Sequence, residues 1–328
     1  MKINNKKLIW FTLLGFLVTF LLIRAYSTPK TVTVYNIGYE QDASQHMKKH
    51  PIFVEWWYFD GHINPQLSFV LTFWVSSKNN WVRLNIYDSS KDRNWTFSEY
   101  PTKNNIEISY NKCNIRMGNS SITEKNGIYS IVFDNQNCKL RFELIPLIPG
   151  FAKQKFLPQE GYSYRPWIVA VPRGKIQGIL EYDIEKIEFN GTAYHDHNYC
   201  PLIKSVSSQW GDWYWGRFFT QNYTVIMAIV NLRNNPRSFL YIFKDGNLAQ
   251  AITKRNLFSN DVYEKIKNKQ MPAEFDVSFG QGSMSIFNKH ISLKTPGYTR
   301  YVNEIKIKIS QGKNVLVEEG NGLSEFVY

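Results

Sequence analysis

Short apolar runs separated by turn residues recur along most of the chain, and this pattern predicts a protein built mainly from β-strands. Pairs such as Asn64-Pro65, Asn126-Gly127 and Asp134-Asn135 lie between the runs and are typical of turns. The segment 305–309 alternates isoleucine with lysine, so one face of that strand should meet a core and the other water. The predicted strands are Val54–Phe59, Leu67–Ser76, Trp81–Tyr87, Ile106–Tyr110, Tyr129–Phe133, Lys139–Leu144, Gly178–Tyr182, Lys186–Phe189, Tyr223–Val230, Ser238–Phe243, Glu274–Phe279, Ser283–Phe287 and Asn303–Ile309.

One short helix is predicted in the second half of the chain. Ser259 or Asn260 would cap its N-terminus, Asp261 and Glu264 lie in its first turn, and Pro272 would end it. The predicted fold class is therefore all-β with little helix. Two antiparallel barrels or sandwiches of roughly 130–160 residues each fit the length of the chain.

The N-terminal segment contains a long uncharged apolar run, Leu8–Ile23, which predicts a hydrophobic helix. Three lysines precede the run and Arg24 follows it, so the rest of the chain is predicted to be exported from the cytoplasm. A spanning helix needs about 20 apolar residues and the core of a signal peptide about 7–15, so the run lies between the two classes. We favour an uncleaved single-pass membrane anchor and keep open a signal peptide removed near Ala25-Tyr26-Ser27.

The predicted organisation has four parts. Residues 1–30 form the membrane anchor or signal segment, and residues 31–44 form a polar linker. Residues 45–203 form an N-terminal domain and residues 204–328 a C-terminal domain. We make no prediction for the oligomeric state.

Aromatic side chains are the unusual part of the composition, because 10 Trp, 20 Tyr and 22 Phe make up 16% of the chain. Strand-rich domains with apolar cavities use aromatic residues in this way. The formal net charge of +12 would suit nucleic acid, but the chain has no arginine-rich helix and no zinc-finger spacing. We therefore predict no nucleic-acid partner and interpret the charge as a basic surface facing anionic lipid or cell wall.

The chain has three cysteines, and an exported domain would permit disulfides. Cys113 and Cys138 could form a cross-link if their strands are neighbours. Two cysteines buried in a core are an equally good interpretation. Cys200 would then be left over.

Three segments carry more functional side chains than a structural role requires: 55–62 (EWWYFDGH), 191–198 (GTAYHDHN) and 210–217 (WGDWYWGR). Successive residues of a strand point to opposite faces of the sheet. The faces predicted in this way are Glu55, Trp57 and Phe59 against Trp56, Tyr58, Asp60 and His62, and Tyr194, Asp196 and Asn198 against His195 and His197.

These segments supply aromatic walls and a few ionisable groups, a combination that suits an apolar or polyene ligand. An Asp buried among aromatic rings has its ionised form desolvated, so its pKa rises and it can act as an acid near neutral pH. Trp and Tyr rings would stabilise a developing carbocation. The combination favours protonation of an alkene, followed by water addition, cyclisation or proton loss.

The same segments resemble the hydroxyneurosporene synthase (carotenoid 1,2-hydratase) family and its AttH-like, lipocalin-like relatives. The resemblance covers most of residues 45–328 in order and spacing. It is carried by EWWYFDGH at 55–62, Trp167, VPRGKIQG at 171–178, YHDHN at 194–198, WYWGR at 213–217 and the ending Glu318-Glu319-Gly320-Asn321-Gly322 with Glu325.

The resemblance implies two lipocalin-like β-barrels with a ligand site near their junction, and no metal or organic cofactor. It implies Asp196 as proton donor, with Tyr194 and Trp167 as pocket neighbours, and we add His195 to this catalytic set. Relatives of this architecture carry out different reactions, so the fold alone does not determine the chemistry. The residues predicted to line the ligand site are Glu55, Trp56, Trp57, Tyr58, Arg165, His197, Asn198, Trp213, Trp215 and Arg217.

The chain departs from the family pattern at two places. Tyr199-Cys200-Pro201 follows YHDHN where the family usually has Trp-Gly, and Pro201 restricts the local backbone. Arg165 stands where a hydratase would be expected to have a His. An arginine near Asp196 would lower the pKa of that carboxyl and weaken it as an acid.

Structural interpretations stay open beside the catalytic ones. Asp196 could instead be bonded to backbone amides or to Arg217. Glu55 could be a second acid or base, or could form a buried ion pair with Arg217 or Arg173.

The two histidines could bind a metal together with a third group, because His195 and His197 share a strand face. Histidines that hydrogen-bond at the barrel junction are the favoured interpretation, and no metal is predicted.

Two functions follow as hypotheses. The first is a membrane-tethered, exported and cofactor-free enzyme that acts on an isoprenoid or other lipid alkene by hydration, isomerisation or cyclisation. The second is a non-catalytic protein that binds or transports a lipid or another apolar small molecule. A surface structural or adhesion domain is a third possibility.

Overall fold

The computed structural model describes residues 30–31, 35–36, 53–152, 167–201, 212–230, 236–254, 257–280, 282–311 and 314–328. The predicted apolar N-terminal helix and Arg165 lie outside these residues. Within the described ranges, no helix has the length and apolar character needed to cross a membrane.

The first part of the chain is almost entirely strand. A single 3₁₀ turn, Lys103–Asn105, interrupts it within the described residues. Its strands are β1 (Lys30–Thr31), β2 (Tyr35–Asn36), β3 (Phe53–His62), β4 (Leu67–Ser76), β5 (Asn80–Asp88), β6 (Arg93–Glu99), β7 (Ile106–Ile108), β8 (Asn114–Met117), β9 (Ser120–Lys125), β10 (Ile128–Asn135), β11 (Cys138–Pro146), β12 (Phe151–Ala152), β13 (Trp167–Tyr182) and β14 (Glu185–Pro201).

The second part adds strands and a helix. The elements are β15 (Trp213–Phe219), β16 (Tyr223–Val230), β17 (Arg237–Lys244), β18 (Asn247–Lys254), α1 (Asn260–Lys267), β19 (Glu274–Phe279), β20 (Gly282–Thr295), β21 (Tyr298–Gln311) and β22 (Asn314–Val327).

These strands form two curled antiparallel sheets. The N-terminal sheet has the order β6-β5-β4-β3-β14-β13-β11-β10-β9-β8-β7, with β12 paired to β13 and β2 paired to β12. The C-terminal sheet has the order β1-β18-β17-β16-β15-β22-β21-β20-β19. The prediction of an all-β chain with two antiparallel sheets is confirmed. Strand β1 joins the C-terminal sheet although it precedes the whole N-terminal sheet in sequence.

Each sheet buries an apolar core of its own, and a third apolar cluster lies between the two sheets. The core of the N-terminal sheet contains Trp57 and Phe59, and that of the C-terminal sheet contains Tyr214 and Phe218. We call the third cluster the junction, because it draws residues from both sheets. Its members are Tyr58, Val70, Ile148, Phe151, Val169, Tyr194, Trp215, Phe219, Ile226, Ala228, Phe239, Tyr241, Phe243, Ala251 and Leu323, with Trp56, Trp167, Trp213 and Val230 packed against them.

The predicted helix is confirmed. Ser259 is its N-cap, and the Ser259 hydroxyl accepts a hydrogen bond from the Val262 amide. Its apolar residues Val262 and Ile266 pack into the core of the C-terminal sheet. The last helical residue is Lys267, so the helix ends before Pro272 is reached.

Cys113 and Cys138 both lie in the core of the N-terminal sheet, and no disulfide joins them. Cys113 immediately precedes β8 and Cys138 begins β11, and strands β9 and β10 separate β8 from β11, so the condition for the predicted cross-link is not met. Burial raises the pKa of the Cys138 thiol to about 12, which keeps it protonated and unreactive.

Candidate ligand site between the two sheets

The site is built on the pairing of β14 with β3. Their register places Asp196 opposite Tyr58, Tyr194 opposite Asp60, and Asn198 opposite Trp56. Because side chains alternate along a strand, these residues share the face of the N-terminal sheet that meets the C-terminal sheet. The alternation predicted from the sequence is confirmed for both strands.

Asp196 is buried at the junction and accepts three hydrogen bonds. Its Oδ2 atom accepts one from the Tyr194 hydroxyl at 2.8 Å and one from the Trp167 indole N–H at 3.0 Å. Its Oδ1 atom accepts one from the Asn198 amide at 2.8 Å. Three of the predicted site residues thus surround the predicted acid directly.

Burial raises the pKa of Asp196 to about 7, because desolvation outweighs the hydrogen bonds from Tyr194 and Trp167 that stabilise the carboxylate. The pKa of Tyr194 is also raised well above its ordinary value, first by burial and then by the negative charge of Asp196. Near neutral pH, Tyr194 therefore stays a hydrogen-bond donor while Asp196 exchanges its proton.

Aromatic rings from both sheets surround this carboxyl group. The Trp215 ring lies 5.1 Å from the Tyr194 ring and 5.5 Å from the Tyr58 ring. The Tyr241 ring lies 6.0 Å from the Trp167 ring. Tyr58, Trp167 and Trp215 thus lie where the sequence placed them, whereas sequence reasoning missed Tyr241.

A second carboxylate reaches the junction from the C-terminal sheet. Glu325 Oε1 accepts hydrogen bonds from the Tyr58 hydroxyl at 2.8 Å and from Arg300 Nε at 3.1 Å. Arg300 also donates to Asn85 of the N-terminal sheet at 3.4 Å. The sequence offered only the family-like C-terminal ending as a signal for Glu325, and it gave none for Arg300.

Arg217 forms a fully buried ion pair with Asp60, in which Nε donates to Oδ1 at 2.5 Å. The sequence had offered Asp196 or Glu55 as partners of Arg217, and both assignments are wrong. Asp196 accepts its hydrogen bonds from Tyr194, Trp167 and Asn198 instead, and Glu55 contacts His197. Burial raises the pKa of Asp60 to about 6, although the positive charge of Arg217 opposes the shift.

Four predicted site residues point away from the junction into the N-terminal sheet: Glu55, Trp57, His195 and His197. His197 Nε2 lies 2.9 Å from Glu55 Oε1, and the His197 ring stacks on Trp57 at 4.5 Å. His195 stacks on Phe59 at 3.9 Å.

The sheet therefore separates His195 from the predicted acid, although the two residues are adjacent in sequence. His195 contacts the main-chain oxygen of Tyr58 at 2.9 Å through Nδ1. The grouping of His195 with Asp196 in one catalytic set is corrected, because the pleat of β14 points them to opposite faces. Glu55 pairs with His197 and not with Arg217 or Arg173.

No group of three or more His, Cys, Asp or Glu side chains in the described part of the chain could hold a metal ion. The two histidines of the YHDHN segment make their contacts within the N-terminal sheet. Trp56 and Trp213 pack against the junction and extend its aromatic wall.

Comparisons with known proteins bear on the family. No family model matches the chain. A curated relative, hydroxyneurosporene dehydrogenase from Chlorobaculum tepidum, is 25% identical over 186 residues, which are 51% of this chain and 45% of the relative. The match thus spans about half of each protein.

Solved structures share the fold. An AttH-like protein from Nitrosomonas europaea has a TM-score of 0.62 at 12% identity, over 89% of this chain and 97% of its own. CghA in complex with Sch210972 has a TM-score of 0.61 at 11% identity, over 91% and 98%. Kievitone hydratase from Nectria haematococca has a TM-score of 0.56 at 14% identity, over 92% and 98%.

The resemblance to the AttH-like and carotenoid hydratase family is confirmed. The three solved structures match over nearly their whole length, so they share the two-sheet architecture of this chain. At these identities the likeness shows the fold alone, and the chemistry has to be argued from the residues of this chain.

Proposed function

We propose that this protein is a hydratase-like acid catalyst that protonates a carbon–carbon double bond of an apolar substrate, with Asp196 as the proton donor. The observation that carries the proposal is a buried carboxyl group whose pKa is raised to about 7 inside an aromatic junction. A carboxylic acid with this pKa is partly protonated at neutral pH and is matched to proton transfer.

The hydrogen bonds around Asp196 indicate which oxygen carries the proton. Oδ2 accepts two hydrogen bonds, from Tyr194 and Trp167, whereas Oδ1 accepts one, from Asn198. Each carboxyl oxygen has two lone pairs. Oδ1 therefore keeps a position for the proton, while Tyr194 and Trp167 hold the group in place.

The proposed step balances without a further reagent. The Asp196 carboxyl gives its proton to one alkene carbon, and the π electrons form the new C–H bond. The other alkene carbon becomes a cation. Water adds to that carbon and returns a proton to the Asp196 carboxylate, so the net reaction is alkene plus water to alcohol. Transfer of a proton from a neighbouring carbon of the cation to the Asp196 carboxylate instead gives an isomerised alkene and restores the acid.

The aromatic rings would stabilise the cation. The ring face of Tyr, Trp or Phe attracts a cation by about 0.5–2 kcal/mol, and the attraction is strongest where water is excluded. Tyr58, Tyr194 and Trp215 meet within ring distances of 5.1–6.4 Å beside Asp196. An apolar substrate would displace little bound water from such walls.

The classes of reaction and substrate in this proposal are taken from the names of two relatives. One structural neighbour is a hydratase by name, and the curated relative is named for hydroxyneurosporene. We therefore propose an isoprenoid or another lipid alkene as the substrate.

The experiment is turnover of hydroxyneurosporene, an isoprenoid alkene that carries a hydroxyl group, in water enriched in ¹⁸O, read by mass spectrometry. The wild-type protein should give an alcohol that carries the heavy oxygen. Asp196→Asn should lower the rate by about 10²–10⁴-fold. Asp276→Asn is the matched control, because Asp276 lies on the C-terminal sheet with its carboxylate bonded to Ser285 in an exposed pair. Undiminished turnover by Asp196→Asn would refute the proposal.

A second candidate function is non-catalytic binding of a lipid or another apolar small molecule. The three hydrogen bonds that Asp196 accepts favour it, because they would also suit a carboxylate with a purely structural role. Native mass spectrometry of protein taken from its host distinguishes the two. An unmodified bound lipid supports the binder, and a hydrated or isomerised product supports the enzyme.

We also propose that residues 1–30 tether the protein to a membrane, with the sheets outside the cytoplasm. The charge-free run Leu8–Ile23 and its basic flanks support this proposal. Alkaline extraction of membranes should leave the full chain in the pellet and release a chain that starts at Lys30. Release of both would contradict tethering.

A further inference from the structure

Two hydrogen-bond donors in the junction have no acceptor within the described residues: the Trp215 indole N–H and the Tyr241 hydroxyl. Trp215 is 8% exposed and Tyr241 is 1% exposed, so bulk water does not serve them. Buried polar groups in native proteins are almost always hydrogen-bonded, and an unpaired one is costly.

Three other polar side chains of the junction are paired within the protein. The Tyr58 hydroxyl donates to Glu325, and Tyr194 and Trp167 donate to Asp196. Trp215 and Tyr241 differ from these three neighbours in having a donor with no acceptor. Such an arrangement is characteristic of a site that pairs its donors with a ligand.

Both donors lie next to the groups that hold Asp196. The Trp215 ring is 5.1 Å from the Tyr194 ring, and the Tyr241 ring is 6.0 Å from the Trp167 ring. They come from β15 and β17, so they face Asp196 from the opposite sheet. A molecule held beside Asp196 would have these two donors within its reach.

An indole nitrogen can only donate a hydrogen bond. Burial raises the pKa of the Tyr241 hydroxyl, so this group also keeps its proton. Two buried donors in the same cluster call for an acceptor, and a pure hydrocarbon has none.

We propose that Trp215 and Tyr241 bind an oxygen atom of the ligand, so the molecule taken at the junction is an apolar compound that carries a carbonyl or hydroxyl group. This inference rests on the proposed function for the position of the ligand beside Asp196. It goes further by naming the polar group of the substrate and the residues that recognise it.

The test compares two probes of the same carbon skeleton length, the isoprenoid alcohol farnesol and the hydrocarbon farnesene. Binding is measured by displacement of the fluorescent probe N-phenyl-1-naphthylamine. The informative quantity is the ratio of the two dissociation constants. When this ratio is compared between variants, the difference in water solubility between the two probes drops out, because it is the same for every variant.

Tyr241→Phe and Trp215→Phe should each weaken farnesol binding by about three- to tenfold and leave farnesene binding unchanged. Tyr214→Phe is the matched control, because the Tyr214 hydroxyl is also buried but lies in the core of the C-terminal sheet. It should leave both dissociation constants unchanged. Tyr241→Phe keeps the ring, so its melting temperature should stay at or above that of the wild type.

Three results would overturn the inference: no binding of either probe to the wild type, equal weakening of both probes, or an unchanged ratio in Tyr241→Phe. An unchanged ratio would also be the result if ordered water alone occupied the donors. Asp196→Asn separates this inference from the proposed function. That variant should lose turnover and keep its preference for farnesol over farnesene. If it kept both, Asp196 would be refuted as the acid, while the assignment of Trp215 and Tyr241 as ligand donors would stand.

Discussion

The two faces of strand β14 differ in what their polar residues do. On the inner face, His195 and His197 are enclosed by the core of the N-terminal sheet, and His197 contacts Glu55. On the outer face, Tyr194, Asp196 and Asn198 meet the C-terminal sheet. Adjacent residues of one motif thus lie in two different places: the two histidines in the interior of the N-terminal sheet, and the other three residues at the candidate site.

The comparison teaches that density of functional side chains in a motif does not place them in one site. In a strand, the pleat divides such a motif in two. The inner-face residues pair with groups of their own sheet. The outer-face residues form a candidate site only together with the other sheet. Substitutions on the two faces should therefore have different consequences.

The largest effect is expected at the buried ion pair that joins the sheets. Arg217→Met leaves Asp60 without its cation, and should lower the free energy of unfolding by about 3–5 kcal/mol in urea denaturation. Lys306→Met is the control, because its pair with Glu319 is exposed and should contribute about 0–1 kcal/mol. Equal losses in the two variants would mean that the junction is not sealed from water.

A smaller loss is expected on the inner face. His197→Phe removes one hydrogen-bond partner of the buried Glu55 and should lower the free energy of unfolding by about 2–4 kcal/mol. Farnesol binding by the folded protein should not change, because His197 does not face the junction. Specific loss of binding at unchanged stability would place the ligand inside the N-terminal sheet and would break the comparison.

The outer face offers a matching, milder change. Tyr58→Phe removes the hydrogen bond to Glu325 and should lower the free energy of unfolding by about 1–2 kcal/mol. In contrast to His197→Phe, it should also weaken farnesol binding, because the lost hydrogen bond to Glu325 holds the Tyr58 ring in place against Trp215. A stability loss without any change in binding would argue that the ligand lies away from this ring.

Local rules were sufficient for much of the fold and for part of the site. Alternation of apolar residues predicted the strands, and Ser259 with its following acidic residues predicted the one helix. Alternation also placed Tyr194 and Asn198 on the side of Asp196, because residues two apart share a face. Trp167 came from the family resemblance and lies at 3.0 Å from the acid.

The missed residues all make a contact with the other sheet. Arg300 and Tyr241 carry no local signal, because their importance arises from how one sheet packs on the other. The predicted partners of Arg217 were wrong for a related reason. Several acidic residues lie on the candidate strands, and only the packing of one sheet on the other shows that Asp60 is the residue that meets Arg217.

The central claim is that folding raises the pKa of Asp196 so that its carboxyl is still partly protonated near pH 7, and the pH dependence of stability tests it most directly. A carboxyl whose pKa rises from 3.8 to about 7 on folding holds its proton more tightly in the folded state. Its contribution to stability is complete below about pH 4 and is lost as the pH rises to about 7. An Asn at this position does not titrate.

The measurement is the free energy of unfolding of wild type and Asp196→Asn from pH 4.5 to pH 8. The account predicts that Asp196→Asn gains stability relative to the wild type as the pH rises to about 7, and that the difference is constant above it. A contradictory result would be the reverse trend, in which the wild type gains on the variant as the pH rises. That trend would mean that Asp196 is held as a carboxylate and is not the proton donor.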